Sequence, residues 1–68
     1  MVRNDLITID PDVQSGLPVF KGTRVPIEIL FDHIETGSTI DEFIDDFPSV
    51  TKNHAVAVLE LLKSFAVA

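Results

Sequence analysis

Residues 20–26 of the sequence read Phe20-Lys21-Gly22-Thr23-Arg24-Val25-Pro26, and this stretch decides how the chain folds. Gly22 permits backbone angles that residues with a Cβ atom resist. Pro26 fixes its own φ and pushes the residue before it towards an extended conformation. Proline also suits the first position of a helix, where its missing N–H is no loss. The stretch therefore predicts the end of a strand, a tight turn and the start of a helix.

The N-terminal residues predict an extended arm over 1–25. Leu6-Ile7-Thr8-Ile9 is a short apolar run rich in β-branched residues, which is typical of a strand. Asp10-Pro11 ends that run, and Val19-Phe20 forms a second extended piece. We expect the two pieces to pair as a β-ribbon. Because an isolated two-stranded ribbon is marginal in water, it must lie on the helices or pair with another chain.

The remaining residues predict three helices over 26–68. Apolar residues recur with helical spacing from Pro26 to Thr36, which predicts the first helix. The second helix begins with a capping-box pattern, in which Thr39 is followed three residues later by Glu42. Pro48 limits this second helix to about two turns.

The third helix is predicted to be the longest. Thr51 is its expected N-cap, and the pattern runs to about Phe65. A short helix, a tight turn and a longer helix resemble a helix-turn-helix. The predicted fold class is therefore mostly α, with a short N-terminal β-ribbon followed by a three-helix bundle, in a single domain over 1–68.

The third helix is also more apolar than a surface helix needs to be. Its apolar residues fill an arc of roughly 200°, whereas about 100° is enough for a face that packs on a core. The C-terminal part of this arc contains Leu61, Leu62 and Phe65. Each could be an ordinary core residue, but the width of the arc favours burial of some of them by a second chain. We predict these three as partner-binding residues and expect that the isolated chain is not a stable monomer.

The first turn of the third helix contains candidate DNA contacts. Lys52, Asn53 and His54 occupy the position at which the second helix of a helix-turn-helix reads base edges. Asparagine can pair with adenine, and lysine can reach guanine or phosphate. The alternative interpretation is a solvated helical turn that follows the Thr51 cap.

The turn before the first helix contains a second candidate group. Lys21, Thr23 and Arg24 place two positive charges on either side of a hydroxyl, and they could contact phosphate or a partner's carboxylates. The alternative is structural: Thr23 caps a backbone N–H, and Arg24 pairs with a nearby acid. Both interpretations can hold together, since an arginine can brace a turn and still face outwards.

The distribution of charge argues against strong DNA binding by the chain alone. The net charge is −6, and residues 26–68 carry all of it. Phosphate affinity comes mainly from lysine and arginine, so an acidic chain is better suited to a basic protein partner. The acidic residues of the helices alternate with core positions, which indicates solvated faces, with a surface for a basic partner as the alternative. They include Asp32, Glu35, Asp41, Glu42, Asp45 and Asp46.

Nothing in the sequence predicts an enzyme. It contains no pairing of a nucleophile with a base, no glycine-rich phosphate loop and no spacing of metal ligands. There is no cysteine, and the two histidines are far apart; we expect His33 at the surface among acids. We therefore expect no catalytic activity, cofactor, metal or small-molecule substrate. No signal peptide or membrane span is visible, so the expected location is the cytoplasm.

Five parts of the sequence are distinctive in combination: Ile7-Thr8-Ile9-Asp10-Pro11-Asp12-Val13, Gly16-Leu17-Pro18-Val19, Lys21-Gly22-Thr23-Arg24-Val25-Pro26, Gly37 and Phe47-Pro48-Ser49-Val50-Thr51. Together they resemble the small bacterial domain-of-unknown-function family 433. The resemblance implies a homeodomain-like or winged-helix-like fold and a role as the antitoxin of a two-component toxin–antitoxin pair. The usual partner resembles a PIN-like ribonuclease, whose active site uses acidic residues and a divalent metal.

Three functions are open at this point. The first is an antitoxin that neutralises a PIN-like ribonuclease toxin by direct contact. The second is a transcriptional regulator that binds operator DNA, either together with the first role or without a toxin. The third is a purely structural oligomerisation domain. The expected partners are accordingly the ribonuclease, a second copy of the chain and operator DNA.

Overall fold

The computed structural model describes residues 5–66. It contains a two-stranded ribbon followed by three helices, and this layout confirms the predicted mostly α fold class. The elements are β1 (Ile7–Thr8), β2 (Val19–Phe20), α1 (Ile27–Glu35), α2 (Ile40–Asp46) and α3 (Lys52–Ala66).

The ribbon is shorter than the apolar run of the sequence indicates. β1 pairs antiparallel with β2, so that Ile7 lies opposite Phe20 and Thr8 opposite Val19. Between the strands, the chain makes a short 3₁₀ turn over Gln14–Gly16 whose residues all have positive φ. The arm thus doubles back between the two strands and returns to the helices.

The turn that leads into α1 has the geometry that its glycine predicts. Gly22 has φ of +80°, the value required at the third position of a type II turn, and the Thr23 N–H closes that turn on the Phe20 carbonyl over 3.0 Å. The Thr23 hydroxyl donates to the same carbonyl and accepts from the Val25 N–H. Pro26 is the N-cap residue of α1, one position before the first helical residue.

The ends of the first two helices are fixed by local hydrogen bonds. α1 ends in a Schellman motif, in which the N–H groups of Gly37 and Ser38 donate to the carbonyls of Ile34 and His33. The capping box of α2 is present as predicted: the Thr39 side chain accepts from the Glu42 N–H, and the Glu42 carboxylate accepts from the Thr39 N–H.

A single hydrophobic core joins the arm to the helices. Phe20 is fully buried at its centre, with its ring 5.7 Å from that of Phe43 in α2 and 5.3 Å from that of His54 in α3. Because β2 supplies this central ring and β1 supplies the buried Ile7, the described part of the arm, residues 5–25, contributes to the core. The other buried residues are Ile7, Val19, Ile27, Leu30, Val50, Ala55 and Val58.

The three helices do not pack equally on one another. α2 packs on both α1 and α3, whereas α1 and α3 make fewer contacts with each other. The α1 and α3 faces that point away from α2 are therefore covered incompletely. This arrangement leaves a groove between them, with the arm beside it.

Candidate functional site

An open, mainly apolar groove of about 470 Å³ lies on the surface of the described chain. α1, α3 and the arm each contribute to it, and one lining residue, Glu28, is charged. The lining residues are Ile7, Ile9, Leu17, Pro18, Ile27, Glu28, Phe31, Leu61, Leu62 and Phe65.

The three residues predicted to bind a partner all line this groove. Leu61 and Leu62 are half-buried, and Phe65 is 73% exposed. Phe65 is one turn after Leu61, so both lie on the same side of α3. The wide apolar arc of the third helix is therefore divided between a core face and a groove face. Burial of the groove face by a second chain stays a prediction.

Two glutamates of α1, Glu28 and Glu35, lie on the same side of that helix. Glu28 lines the groove, and Glu35 lies seven residues later on the same side of the helix. Both are exposed, and neither makes an ion pair within residues 5–66. The groove thus combines an apolar interior with one carboxylate, that of Glu28, which makes no ion pair among the described residues.

The two groups of candidate DNA contacts, which are far apart in the sequence, are neighbours in the structure. The Leu6 carbonyl accepts hydrogen bonds from the Lys21 N–H, over 2.9 Å, and from His54 Nε2, over 2.7 Å. The turn around Gly22 therefore lies against the first turn of α3. No sequence periodicity links these segments, because the link is made by the backbone of the arm.

Two of the six candidate DNA contacts, Thr23 and His54, make hydrogen bonds that hold the fold together. The Thr23 hydroxyl bonds within its own turn, which is the structural alternative considered for it. His54 is half-buried, stacks edge-on against Phe20 and uses Nε2 to hold the Leu6 carbonyl. The structural alternative thus holds for Thr23, and His54 Nε2 is engaged inside the chain, while a DNA contact by either residue stays a prediction.

The remaining candidates form a small, partly neutralised basic surface. Lys21 Nζ lies 3.7 Å from Asp5, and Lys52 Nζ lies 3.2 Å from Asp41. Such exposed ion pairs contribute about 0–1 kcal/mol, so they do not prevent either lysine from binding elsewhere. Arg24 is exposed and makes no ion pair among the described residues, so the structural alternative in which it pairs with a nearby acid does not hold there.

His33 was expected at the surface, but the structure places it between α1 and α2. Its Nδ1 donates to the Ile29 carbonyl and its Nε2 faces the Asp46 carboxylate at 3.1 Å, while its ring meets Phe43 and Phe47 edge-on. The hydrogen bond to Asp46, followed by the one to Ile29, raises the pKa of His33 above its ordinary value of 6.5. The sequence does not indicate the pair of His33 and Asp46, because its members are thirteen positions apart on different helices.

Residues 5–66 contain neither a cluster of metal ligands nor a helix suited to a membrane. No group of three or more histidine and acidic side chains is arranged so that it could hold a metal ion. No helix in this part of the chain has the length and apolar character needed to cross a membrane.

Comparison with known proteins identifies relatives without an assigned activity. The model of the family described as "Protein of unknown function (DUF433)" matches residues 7–61. The "Uncharacterized protein y4eO" of Sinorhizobium fredii is 30% identical over 46 residues, which cover 68% of this chain and 21% of that protein. The similarity thus spans about a fifth of the relative's length. No solved structure matches the chain significantly.

Proposed function

This chain belongs to the DUF433 family, and we propose that it is an antitoxin-like binding module that neutralises a PIN-like ribonuclease toxin by direct protein contact. The observation that carries the proposal is the open apolar groove with Phe65 exposed beside it. Contiguous exposed apolar surface in a small protein commonly marks an interaction site. The ribonuclease as partner comes from the family resemblance, and the groove supplies a surface for it.

The charge of the chain supports the same partner. A ribonuclease binds an RNA backbone, and affinity for phosphate comes mainly from lysine and arginine side chains. Residues 26–68 carry the entire net charge of −6 and include both helices that line the groove. An acidic module can therefore approach the same basic surface that RNA uses, and its charge accelerates that encounter.

Co-expression with the product of the adjacent reading frame tests the proposal. We expect the two chains to elute together in size-exclusion chromatography. Phe65→Ser should weaken the complex at least about ten-fold, because a buried aromatic residue often dominates an interface. Val56→Ser is the matched control, since Val56 is an exposed apolar residue of α3 outside the groove. Separate elution of the two wild-type chains would contradict the proposal.

Operator binding is a second proposed function, and the proximity of the turn at residues 21–24 to the first turn of α3 favours it. Lys21, Arg24, Lys52 and Asn53 are all exposed in this region. Helix-turn-helix proteins combine backbone contacts with side chains at the start of the recognition helix in the same way. The acidic remainder of the chain limits this activity in isolation, so we propose that DNA binding depends on the partner.

A further inference from the structure

We propose that the groove binds an amphipathic helix of the partner that carries a lysine or arginine next to its apolar face, and that Glu28 pairs with this basic side chain. The proposal rests on the proposed function, because it specifies what the partner presents. It adds the secondary structure, the charge and the contact residue of the bound segment, none of which follows from family membership.

The walls of the groove have the spacing that receives a helix. α3 contributes Leu61 and Phe65 at i and i+4, and α1 contributes Ile27 and Phe31 at the same interval. Rows of side chains at this interval form the ridges between which another helix packs. An incoming helix with apolar residues at i, i+3, i+4 and i+7 would use both walls at once.

The arm provides the third side of the groove. Ile7 and Ile9 come from the first part of the arm, and Leu17 and Pro18 follow the 3₁₀ turn. Leu17 is 41% exposed, so this side also presents apolar surface. The bound helix would therefore pack against α1, α3 and the arm as an additional helix of the bundle.

Charge selects a basic helix over other occupants. Glu28 is the charged residue of the lining, and Glu35 continues the same side of α1 without an ion pair in the described chain. A second copy of the chain would bring its own Glu28 and a further net charge of −6 to the contact. A basic helix instead gains a charge pair at the rim while it buries its apolar face.

Two synthetic peptides test this proposal with the intact chain. The first is a leucine–lysine peptide of about 18 residues with one apolar face, a length at which an isolated helix begins to be stable. The second is identical but has glutamate in place of every lysine. We expect the chain to bind the lysine peptide at least about ten-fold more tightly in isothermal titration calorimetry at physiological salt.

Variants of the chain locate the bound peptide. Glu28→Gln should weaken binding of the lysine peptide about two- to five-fold, as expected for one rim charge pair. Glu60→Gln, which removes an exposed carboxylate of α3 outside the groove, should leave it unchanged. Phe65→Ser should weaken binding at least about ten-fold, and Val56→Ser should not. Circular dichroism of each variant checks that the fold is retained.

Several outcomes would overturn the proposal. Equal losses in Glu28→Gln and Glu60→Gln would indicate general attraction between opposite charges. Absence of binding would contradict the proposal, and self-association that Phe65→Ser abolishes and the lysine peptide does not displace would assign the groove to a second copy of the chain. The outcomes for the proposed function are distinct: a ribonuclease complex that persists unchanged in Glu28→Gln and Phe65→Ser would retain that function but remove the groove from it. Peptide binding without any ribonuclease complex would support the groove as a helix-binding site and contradict the antitoxin role.

Discussion

Gly22 illustrates how one residue fixes the path of the chain. Its φ of +80° lies in the region that side chains disfavour, but a Cβ atom there would meet nothing within 4 Å. Any cost of substitution therefore comes from the backbone conformation and not from a collision. The sequence predicted this position because the requirement is local and glycine is the residue that meets it.

Gly22→Val should destabilise the chain more than Lys21→Ala. A non-glycine residue in a disfavoured backbone region costs about 1–3 kcal/mol, and a β-branched residue lies at the upper end. Lys21 is exposed, and its contact with Asp5 is a surface pair worth about 0–1 kcal/mol. Urea denaturation of the two variants measures the difference, and equal midpoints would contradict the role assigned to the turn.

His33 makes the stability of the chain depend on pH. The hydrogen bond to Asp46 raises the pKa of the folded histidine above its ordinary value of 6.5, so the folded chain holds this proton more tightly than the unfolded chain. The resulting stabilisation is complete below the ordinary pKa and is lost as pH rises through the raised one. Asp46→Asn should therefore cost more stability at pH 5.5 than at pH 8.5.

Asp45→Asn is the control for this prediction. Asp45 is the exposed neighbour of Asp46 on α2 and makes no hydrogen bond to His33. The free energy of unfolding lost in Asp45→Asn should change much less between the two pH values. A loss in Asp46→Asn that is the same at both pH values would show that the pair does not contribute in its charged form.

Among the elements, the bounds of the helices were predictable from the sequence because local interactions determine them. The bounds of α1, α2 and α3 differ from the predicted ones by a residue or so, because a glycine, a capping box and a threonine cap set them. β2 lies at Val19–Phe20 as predicted, whereas β1 is one residue shorter at each end than the apolar run Leu6–Ile9, since its extent depends on pairing across the arm. Ile34 has the periodicity of the core face but is 41% exposed, because the packing of neighbouring elements decides burial.

The candidate site was predictable in part. The excess apolar width of α3 identified Leu61, Leu62 and Phe65, since that signal lies within one helix. The arm and α1 sides of the groove were missed, because they depend on how three segments meet. The same limit applies to the bond between His54 and Leu6, whose residues are 48 positions apart.

The capping box of α2 should contribute measurably to the stability of the fold. Thr39→Ala removes the hydroxyl that accepts the Glu42 N–H and should cost about 0.5–2 kcal/mol. Thr39→Ser keeps that acceptor and should cost much less. Chemical denaturation compares the two, and an equal loss in both variants would mean that the methyl group, and not the cap, is responsible.

At the scale of the whole molecule, charge limits what the chain binds by itself. The basic surface around the turn and the start of α3 is small, and the net charge is −6. Each phosphate contact contributes about 0.9 to the salt dependence of binding, so a few contacts give weak affinity. A basic partner, or a second copy that presents another recognition helix, would add the missing contacts.

We expect weak operator binding by the free chain and much tighter binding once the partner is added. Lys52→Ala and Asn53→Ala should weaken the complex, and Asn53→Ala should also relax base preference, because asparagine can read adenine. Lys63→Ala, near the other end of α3, is the control. Fluorescence anisotropy at near-physiological salt measures these affinities. Nanomolar binding by the free chain would contradict the need for a partner.

If the groove makes the neutralising contact, changes in the groove must alter inhibition of RNA cleavage. The initial rate of cleavage by the partner ribonuclease is measured while wild-type chain, Phe65→Ser or Val56→Ser is added. We expect wild type and Val56→Ser to abolish cleavage near equimolar ratio, whereas Phe65→Ser should require at least about ten-fold more protein. Cleavage that continues undiminished with the wild-type chain, or equal inhibition by Phe65→Ser, would contradict this expectation.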